Sequence, residues 1–174
     1  MATLVLAASL LAGAAPAPAA TVTEEPSLEA RLVERVNAVR TSRGLRALRI
    51  EYGLSRAAER HARSMAAAAY FRHELFTPQR DPRWTAYGRW IRWYYPGPGW
   101  SSWSAGENLA WGAPDISARQ TVRRWLGSPG HRANLLARGW RHVGVAAVHI
   151  AEPAGYYGAW DDVTVVVAEF GRRS

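Results

Sequence analysis

The hydrophobic period changes along this chain, and that change constrains the fold class more than any other feature. Apolar side chains first recur at helical spacing, over residues 28–39 and again over residues 54–65. The last third alternates between apolar and other side chains instead, over residues 143–149 and 163–169, as strands with one buried face do. Helices followed by a terminal hairpin predict an α+β domain.

The composition favours one domain that is stabilised by packing alone. The 174 residues are 48% hydrophobic and include no cysteine, which excludes disulfides and thiolate sites. All 22 basic residues are Arg, so lysine-based Schiff-base and P-loop chemistry are excluded as well. The formal net charge of +8 favours anionic partners such as phospholipid headgroups or wall polymers.

The N-terminal segment is typical of a secretory signal. Residues 1–20 carry no charge, are rich in Ala and Leu, and contain the small-residue sequence Ala17-Pro18-Ala19 near their end. We therefore predict a signal peptide over residues 1–20, with an uncleaved anchor as the alternative, then a poorly ordered linker over residues 21–27 and a domain over residues 28–174. Export makes nucleic acid an unexpected partner.

A Trp-rich segment separates the second helix from the rest of the domain. Residues 71–105 have no clean period and contain five of the nine Trp residues, so we predict a long loop. Arg side chains alternate there with aromatic rings, which could line a ligand groove or a rim that faces a membrane. The alternative is that the rings pack the loop onto the domain. The candidate ligand-binding residues are Trp84, Trp90, Trp93, Trp100 and Trp103.

Residues 128–136 have the features of a short helix that carries a chemically useful histidine. Ser128 is a good N-cap and Pro129 suits the first helical position, so Ser128 is predicted to be a structural cap. His131 then lies in the first turn, where the helix dipole favours a neutral imidazole. A neutral imidazole can bind a metal or accept a proton.

Three segments resemble one known family. They are residues 68–73 (AAYFRH), 104–112 (SAGENLAWG) and 125–136 (WLGSPGHRANLL). In this order they are similar to the CAP superfamily of cysteine-rich secretory, antigen 5 and pathogenesis-related proteins, in its bacterial SCP-like branch. The resemblance extends over residues 28–171. It implies an α-β-α sandwich, in which helices flank a small antiparallel sheet, with a large open cleft.

The resemblance also implies a site. His73, Glu107 and His131 match family residues that converge in the cleft, whereas the second family acid is replaced by Ser128. His73 and His131 could bind Zn or another divalent metal, with Glu107 as a ligand, an orienting group or a base. The alternative is that the three residues only brace the cleft by hydrogen bonds.

Three other residues complete the predictions for the site. Glu169 or Asp162 could supply another carboxylate, but nothing in the sequence places either one. We interpret His61 as a hydrogen-bonded structural histidine, because its spacing puts it on or beside the buried face of the second helix.

The expected function is binding rather than catalysis. We expect a secreted protein that binds a lipid, a sterol or an anionic component of the envelope, with peripheral membrane contact, because the family resemblance implies lipid binding. The alternative is a Zn-dependent hydrolase of peptides or wall material that uses His73, Glu107 and His131. Nucleic-acid binding through the Arg- and Trp-rich loop is a third, weaker hypothesis.

Overall fold

A computed structural model describes residues 20–79 and 83–174. The helices are α1 (Pro26–Thr41), α2 (Tyr52–Ala67), α3 (Tyr87–Trp90), α4 (Ala118–Gly127) and α5 (Pro129–Leu135). The strands are β1 (Thr21–Glu24), β2 (Arg49–Ile50), β3 (Leu75–Phe76), β4 (Trp84–Thr85), β5 (Trp103–Gly112), β6 (His142–Ala151) and β7 (Asp162–Arg173). Residues 1–19, which include most of the predicted signal peptide, lie outside the described residues.

The main sheet is built on the β6–β7 hairpin. β7 lies in the middle, antiparallel to β6 on one side and to β5 on the other. β1 and β2 share the outer edge of β6, where β1 runs antiparallel and β2 parallel to it. β3 and β4 form a separate small hairpin within the Trp-rich segment.

Helices cover both faces of this sheet. α1, α4 and α5 pack on one face through a core that includes Leu32, Trp125 and Phe170. α2 covers the other face, where Met65 and Val165 belong to a second core. This arrangement confirms the predicted α+β class and the α-β-α sandwich. Among the described residues, no helix is both long enough and apolar enough to cross a membrane.

Several local predictions need correction. The predicted linker over residues 21–27 is ordered, because Thr21–Glu24 pairs with β6 as a strand and Pro26 begins α1. The sequence predicts a third helix that opens at Asp115, but α4 begins at Ala118, because Ser117 and Gln120 form a capping box there. β5 was not predicted, since its sequence WSAGENLAWG mixes small, polar and apolar residues without a clear alternation.

The close approach of α2 to the sheet depends on Gly144 in β6. A Cβ atom at this position would lie only 2.1 Å from Leu54 C and from Ser55 N. Both atoms belong to the backbone of α2, which cannot move aside as a side chain can. Gly144 therefore sets the distance between α2 and the strand that faces it.

We expect Gly144→Ala to lower the free energy of unfolding by about 3 kcal/mol or more, because the added methyl group overpacks this interface. Urea denaturation measures the change. Gly127→Ala is the matched control, since nothing lies within 4 Å of a Cβ atom there. It should change stability by less than about 1 kcal/mol. Equal effects of the two substitutions would contradict this account of the α2 interface.

Candidate functional site

Two carboxyl groups meet on neighbouring strands of the sheet. Glu107 in β5 is directly opposite Glu169 in β7 in the strand register. Side chains alternate along a strand, so both residues point to the same face as Leu109 and Val167, which is the face that α2 covers. Both residues are buried. The sheet thus brings Glu169 to the predicted site, whereas Asp162 lies apart from it, 3.4 Å from His149.

Glu107 binds two histidines at once. Nδ1 of His61, from α2, lies 2.5 Å from Glu107 Oε2, and Nδ1 of His73, from the loop after α2, lies 2.6 Å from Oε1. His61 is fully buried, whereas the side chain of His73 is 52% exposed. The carboxylate accepts a hydrogen bond from Nδ1–H of each ring, which fixes both ring orientations and leaves both Nε2 atoms outside these bonds.

The pKa values of the two carboxyl groups are shifted in opposite directions. Burial by itself raises the pKa of Glu107, but the charge and hydrogen bond of His61 and the hydrogen bonds of His73 and Glu169 outweigh it, so the pKa is lowered. Burial and the neighbouring charge of Glu107 raise the pKa of Glu169 well above its ordinary value. Like charges so close cannot both ionise. Glu107 is therefore the carboxylate, and Glu169 is the protonated acid beside it.

The Trp-rich segment covers this network and bonds to it. Tyr87 in α3 donates its hydroxyl hydrogen to Glu169 Oε2 at 2.7 Å. Trp90 donates its indole N–H to the carbonyl of His73 at 3.2 Å, and its ring meets the ring of His61 edge-on, with centroids 5.0 Å apart. The segment thus positions His73 and shields the buried end of the site from water.

His131 lies in the first turn of α5, on the side of β5 away from α2. Its carbonyl accepts a hydrogen bond from Asn108 Nδ2 at 3.0 Å. Burial lowers the pKa of its imidazole, and the charge of His73 lowers it further. The imidazole is therefore held neutral, as expected from the sequence, although burial and His73 are the causes. The charge of His73 therefore acts on His131, although no hydrogen bond among the described residues joins the ring of His131 to His73 or Glu107.

The predicted cap of α5 is only half right. Ser128 does occupy the N-cap position, but its side chain makes no capping hydrogen bond. Its carbonyl accepts from the amide of Arg132 at 2.8 Å, so the cap is made by the backbone alone. α5 is held on β5 by other contacts. A Cβ atom at Gly106 would lie 2.4 Å from Asn134 Oδ1, and Asn134 in turn donates to Asn108 Oδ1.

The five candidate Trp residues have different environments. Trp90 is fully buried, so the prediction that it binds a ligand is wrong, because its ring packs under the loop against α2. Trp84 and Trp103 are half-buried, and Trp84 packs edge-on against Tyr70. Trp93 and Trp100 are 42% and 46% exposed. Some rings therefore pack the loop onto the domain, as one of the two predicted roles requires, whereas Trp93 and Trp100 face solvent and their predicted role in binding stays a prediction.

Sequence reasoning missed how three residues contribute to the site. His61 has the hydrogen bond expected of a structural histidine, but its partner is the central carboxylate. Glu169 could have been favoured over Asp162, since it extends the alternating apolar face of Val163, Val165 and Val167. No sequence signal pointed to Tyr87, because its segment has no regular period.

One group of described side chains places three ligand atoms close enough together for a metal ion. Among the described residues, His61, Glu107 and Glu169 each offer a ligand atom within 4.8 Å of the others, but all three are buried. His61 Nε2 is buried without a hydrogen-bond partner in this part of the chain. His73, by contrast, is open to solvent, is oriented through Nδ1 by Glu107, and has the neutral His131 nearby. Imidazole nitrogen is a donor that Zn prefers, so His73 and His131 are the more accessible candidates.

A comparison with protein families gives a match over most of the chain. The model described as the cysteine-rich secretory protein family, CAP, matches residues 33–168. "Uncharacterized protein YkwD" of Bacillus subtilis (strain 168) is 33% identical over 132 residues, which is 74% of this chain. The match covers 47% of that protein, so the chain spans about half the length of this relative.

Solved structures share the fold. An outer surface protein from Borrelia burgdorferi superposes with a TM-score of 0.68 at 21% identity, over 88% of this chain and 100% of that one. An extracellular protein containing an SCP domain from Bacillus anthracis gives 0.62 at 23% identity, over 85% of this chain and 41% of that one. The two proteins support the architecture described above.

We expect Glu169→Gln to raise the free energy of unfolding at pH 7 by about 1–3 kcal/mol. In the unfolded chain Glu169 loses its proton above the ordinary pKa of 4.5, whereas the folded protein keeps it to a much higher pH. Ionisation between these two values therefore favours the unfolded state. Gln carries no such cost, and its amide can still donate to Glu107 and accept from Tyr87.

Urea denaturation at pH 7 and pH 4 measures this effect. The advantage of Glu169→Gln over the parent should shrink at pH 4, where Glu169 is protonated in both states. Glu107→Gln is the comparison, and it should destabilise by about 3–5 kcal/mol because it removes the buried carboxylate that accepts hydrogen bonds from His61 and His73. An advantage that grows at pH 4, or two variants that are equally destabilised, would refute the assignment of the proton to Glu169.

Proposed function

Because the chain belongs to the cysteine-rich secretory protein (CAP) family, we propose that it is an extracellular protein that binds a lipid, a sterol or an anionic wall component of the cell envelope. Two structural relatives are described as an outer surface protein and an extracellular protein, which agrees with this location. The uncharged, Ala- and Leu-rich sequence of residues 1–20 supports export.

The burial of Glu107 carries the choice of binding over catalysis. Its side chain is only 1% exposed, and each of its oxygens already accepts a hydrogen bond from a histidine. A general base has to reach the proton that it removes, directly or through one water. Glu107 is sequestered from both, and Glu169 is fully buried behind it. The carboxyl groups therefore orient the neighbouring histidines rather than react with a substrate.

The exposed part of the Trp-rich segment supplies the binding surface. Trp93 and Trp100 present large rings to solvent, although monomeric proteins usually bury such rings. The guanidinium of Arg173 lies 4.8 Å from the ring centroid of Trp100, and that of Arg92 lies 5.9 Å from the ring of Trp103. Aromatic rings beside cationic groups suit an interface between apolar material and anionic headgroups.

We expect Trp93→Ala and Trp100→Ala each to weaken binding to vesicles of phosphatidylglycerol and phosphatidylcholine by about tenfold, or 1.4 kcal/mol. Each substitution removes an exposed ring that inserts at the interface. Vesicle co-sedimentation measures the affinity, and a purified wall fraction is tested in parallel. Trp160→Ala is the control, because Trp160 is similarly exposed but packs on Trp111 outside this segment. If the parent binds neither vesicles nor wall fraction, the proposal fails.

Metal binding at His73 and His131 is a second candidate function, favoured by one observation. Glu107 orients His73 through Nδ1, as carboxylates commonly orient metal-binding histidines, and Nε2 takes no part in that bond on a side chain that is 52% exposed. His131 supplies a second imidazole that burial keeps neutral. When bound, a divalent ion would supply a Lewis acid to polarise a carbonyl or phosphoryl oxygen. His73 and His131 would hold this ion, and Glu107 would fix the ring of His73.

We expect the protein to bind Zn with an affinity that falls as the pH is lowered. The hydrogen bond to Glu107 raises the pKa of His73, so protons begin to compete for this ring at a higher pH than for an isolated histidine. Isothermal titration of the metal-free protein measures this dependence. His73→Ala and His131→Ala should each lose binding by at least about tenfold. His149→Ala, which removes a ring beside Thr164 and Asp162, should not. Unchanged Zn affinity in both cleft variants would exclude this metal site.

A further inference from the structure

We propose that a second pocket, at the far end of β5 from the cleft, binds the phosphate group of an envelope component. The pocket has a volume of about 310 Å³. Its lining includes Ser102, Trp103, Arg141, Arg172, Arg173 and Ser174. Trp103 precedes Glu107 by four residues in β5, which separates the pocket from the cleft by about 13 Å along the strand. The proposal rests on the envelope binding proposed above and adds the chemistry of the group that is recognised.

Arg141 and Arg172 direct guanidinium groups into this pocket. Nη1 of Arg141 donates to the carbonyls of residues 138, 139 and 140 at 2.9–3.0 Å, which fixes its side chain. Within the described residues, its other nitrogens remain available to donate. Arg172 is exposed, and the only hydrogen bond of its side chain among the described residues joins Nε to Ser104 Oγ at 3.3 Å. Its two terminal nitrogens form a fork that fits two oxygens of a phosphate group.

Arg173 is the fixed wall of the pocket. Its guanidinium lies 5.3 Å from the ring centroid of Tyr95 and 4.8 Å from that of Trp100. Nη1 also donates to the carbonyl of Pro96 at 2.5 Å and to Glu51 Oε1 at 3.3 Å. Arg173 is thus held in place by the partners that surround it, and its charge is paired with the carboxylate of Glu51.

The charge of the pocket is unbalanced. Among the described residues that line it, three side chains are cationic and none is a carboxylate. Glu51 offsets Arg173, whereas no side-chain carboxylate in the described lining offsets Arg141 or Arg172. The lowered pKa of His142, which lies beside the pocket, agrees with this excess of positive side-chain charge. Burial lowers its pKa, and the charges of Arg173, Arg49 and Arg141 lower it further, against a smaller opposite effect of Glu51.

The surroundings of the pocket favour a phosphate that is attached to a larger envelope molecule. The exposed ring of Trp100 stacks on Arg173, so the cationic pocket that would bind an anion is continuous with an aromatic surface. The ring of Trp103 contributes to the wall itself. A phosphate group could enter the pocket while the attached glycerol or acyl chains contact Trp100. Lipid headgroups and glycerol-phosphate wall polymers both provide this chemistry.

The experiment compares the parent with three Arg variants. Isothermal titration with inorganic phosphate and with glycerol-3-phosphate at low salt tests the pocket, and phosphatidylglycerol against pure phosphatidylcholine vesicles tests the lipid as source. We expect Arg172→Gln to weaken phosphate binding by about tenfold or more, because a charge-assisted bidentate contact is lost. Arg172→Lys should fall between Gln and the parent. Arg123→Gln is the charge-matched control, on the exposed side of α4.

The outcomes separate this inference from the proposed function. If the parent binds the phosphate compounds but no vesicle or wall fraction, the pocket is supported and the envelope function fails. If vesicles bind through Trp100 but Arg172→Gln changes nothing, the function is supported and the pocket fails. Loss of phosphate binding in Arg123→Gln equal to that in Arg172→Gln would reduce the effect to net charge and overturn the inference. Stronger binding to phosphatidylglycerol than to free glycerol-3-phosphate would identify the lipid as the source.

Discussion

One proton, held between Glu107 and Glu169, makes the buried end of the site stable. Two ionised carboxylates on adjacent strands would repel each other in a region without water. Protonation of Glu169 removes this repulsion and turns it into a hydrogen bond. Glu107 then keeps its charge because His61 and His73 each donate to it. The charge of Glu107 therefore depends on three parts of the fold. The register of β5 on β7 brings Glu169 to it, α2 brings His61, and the loop after α2 brings His73.

This convergence explains how a chain without cysteine orders a long segment of irregular sequence. The segment after α2 reaches the network through the ring of His73 and through the hydroxyl of Tyr87. Trp90 adds a fully buried ring and a hydrogen bond to the backbone of His73. Apolar packing and buried hydrogen bonds thus do at this point what a disulfide does in many small secreted domains. The rings that remain outside, Trp93 and Trp100, are partly exposed to solvent.

Much of the fold could be predicted from the sequence, because it depends on periodic patterns. The helical spacing of Leu28 and Leu32 and the alternation around Val165 reflect burial on one face, which any packed domain requires. β5 could not be predicted in this way. It carries Gly106, Glu107 and Asn108 at its centre, so its residues serve the close approach of α5 and the site rather than a regular apolar face.

The site was predictable only where the family resemblance reached. His73, Glu107 and His131 came from motifs, whereas Glu169 and His61 depend on a strand register and a helix position that only the structure supplies. Ser128 shows a different limit of prediction from the sequence. Its position at the start of α5 followed from the sequence, but the direction of its hydroxyl depends on local geometry, and the cap uses the backbone instead.

The position of Glu169 also decides what the missing acid at Ser128 means for function. Glu169 brings a second carboxyl group to the site, but it does so from β7, on the buried side of Glu107, where its side chain has no access to solvent. It therefore stabilises the charge of Glu107 without restoring an acid that faces the cleft. The groups that do face solvent are an imidazole oriented by that charge and, elsewhere, tryptophan rings and guanidinium groups. The surface thus combines apolar and cationic groups, whereas the two carboxyl groups of the site remain inside.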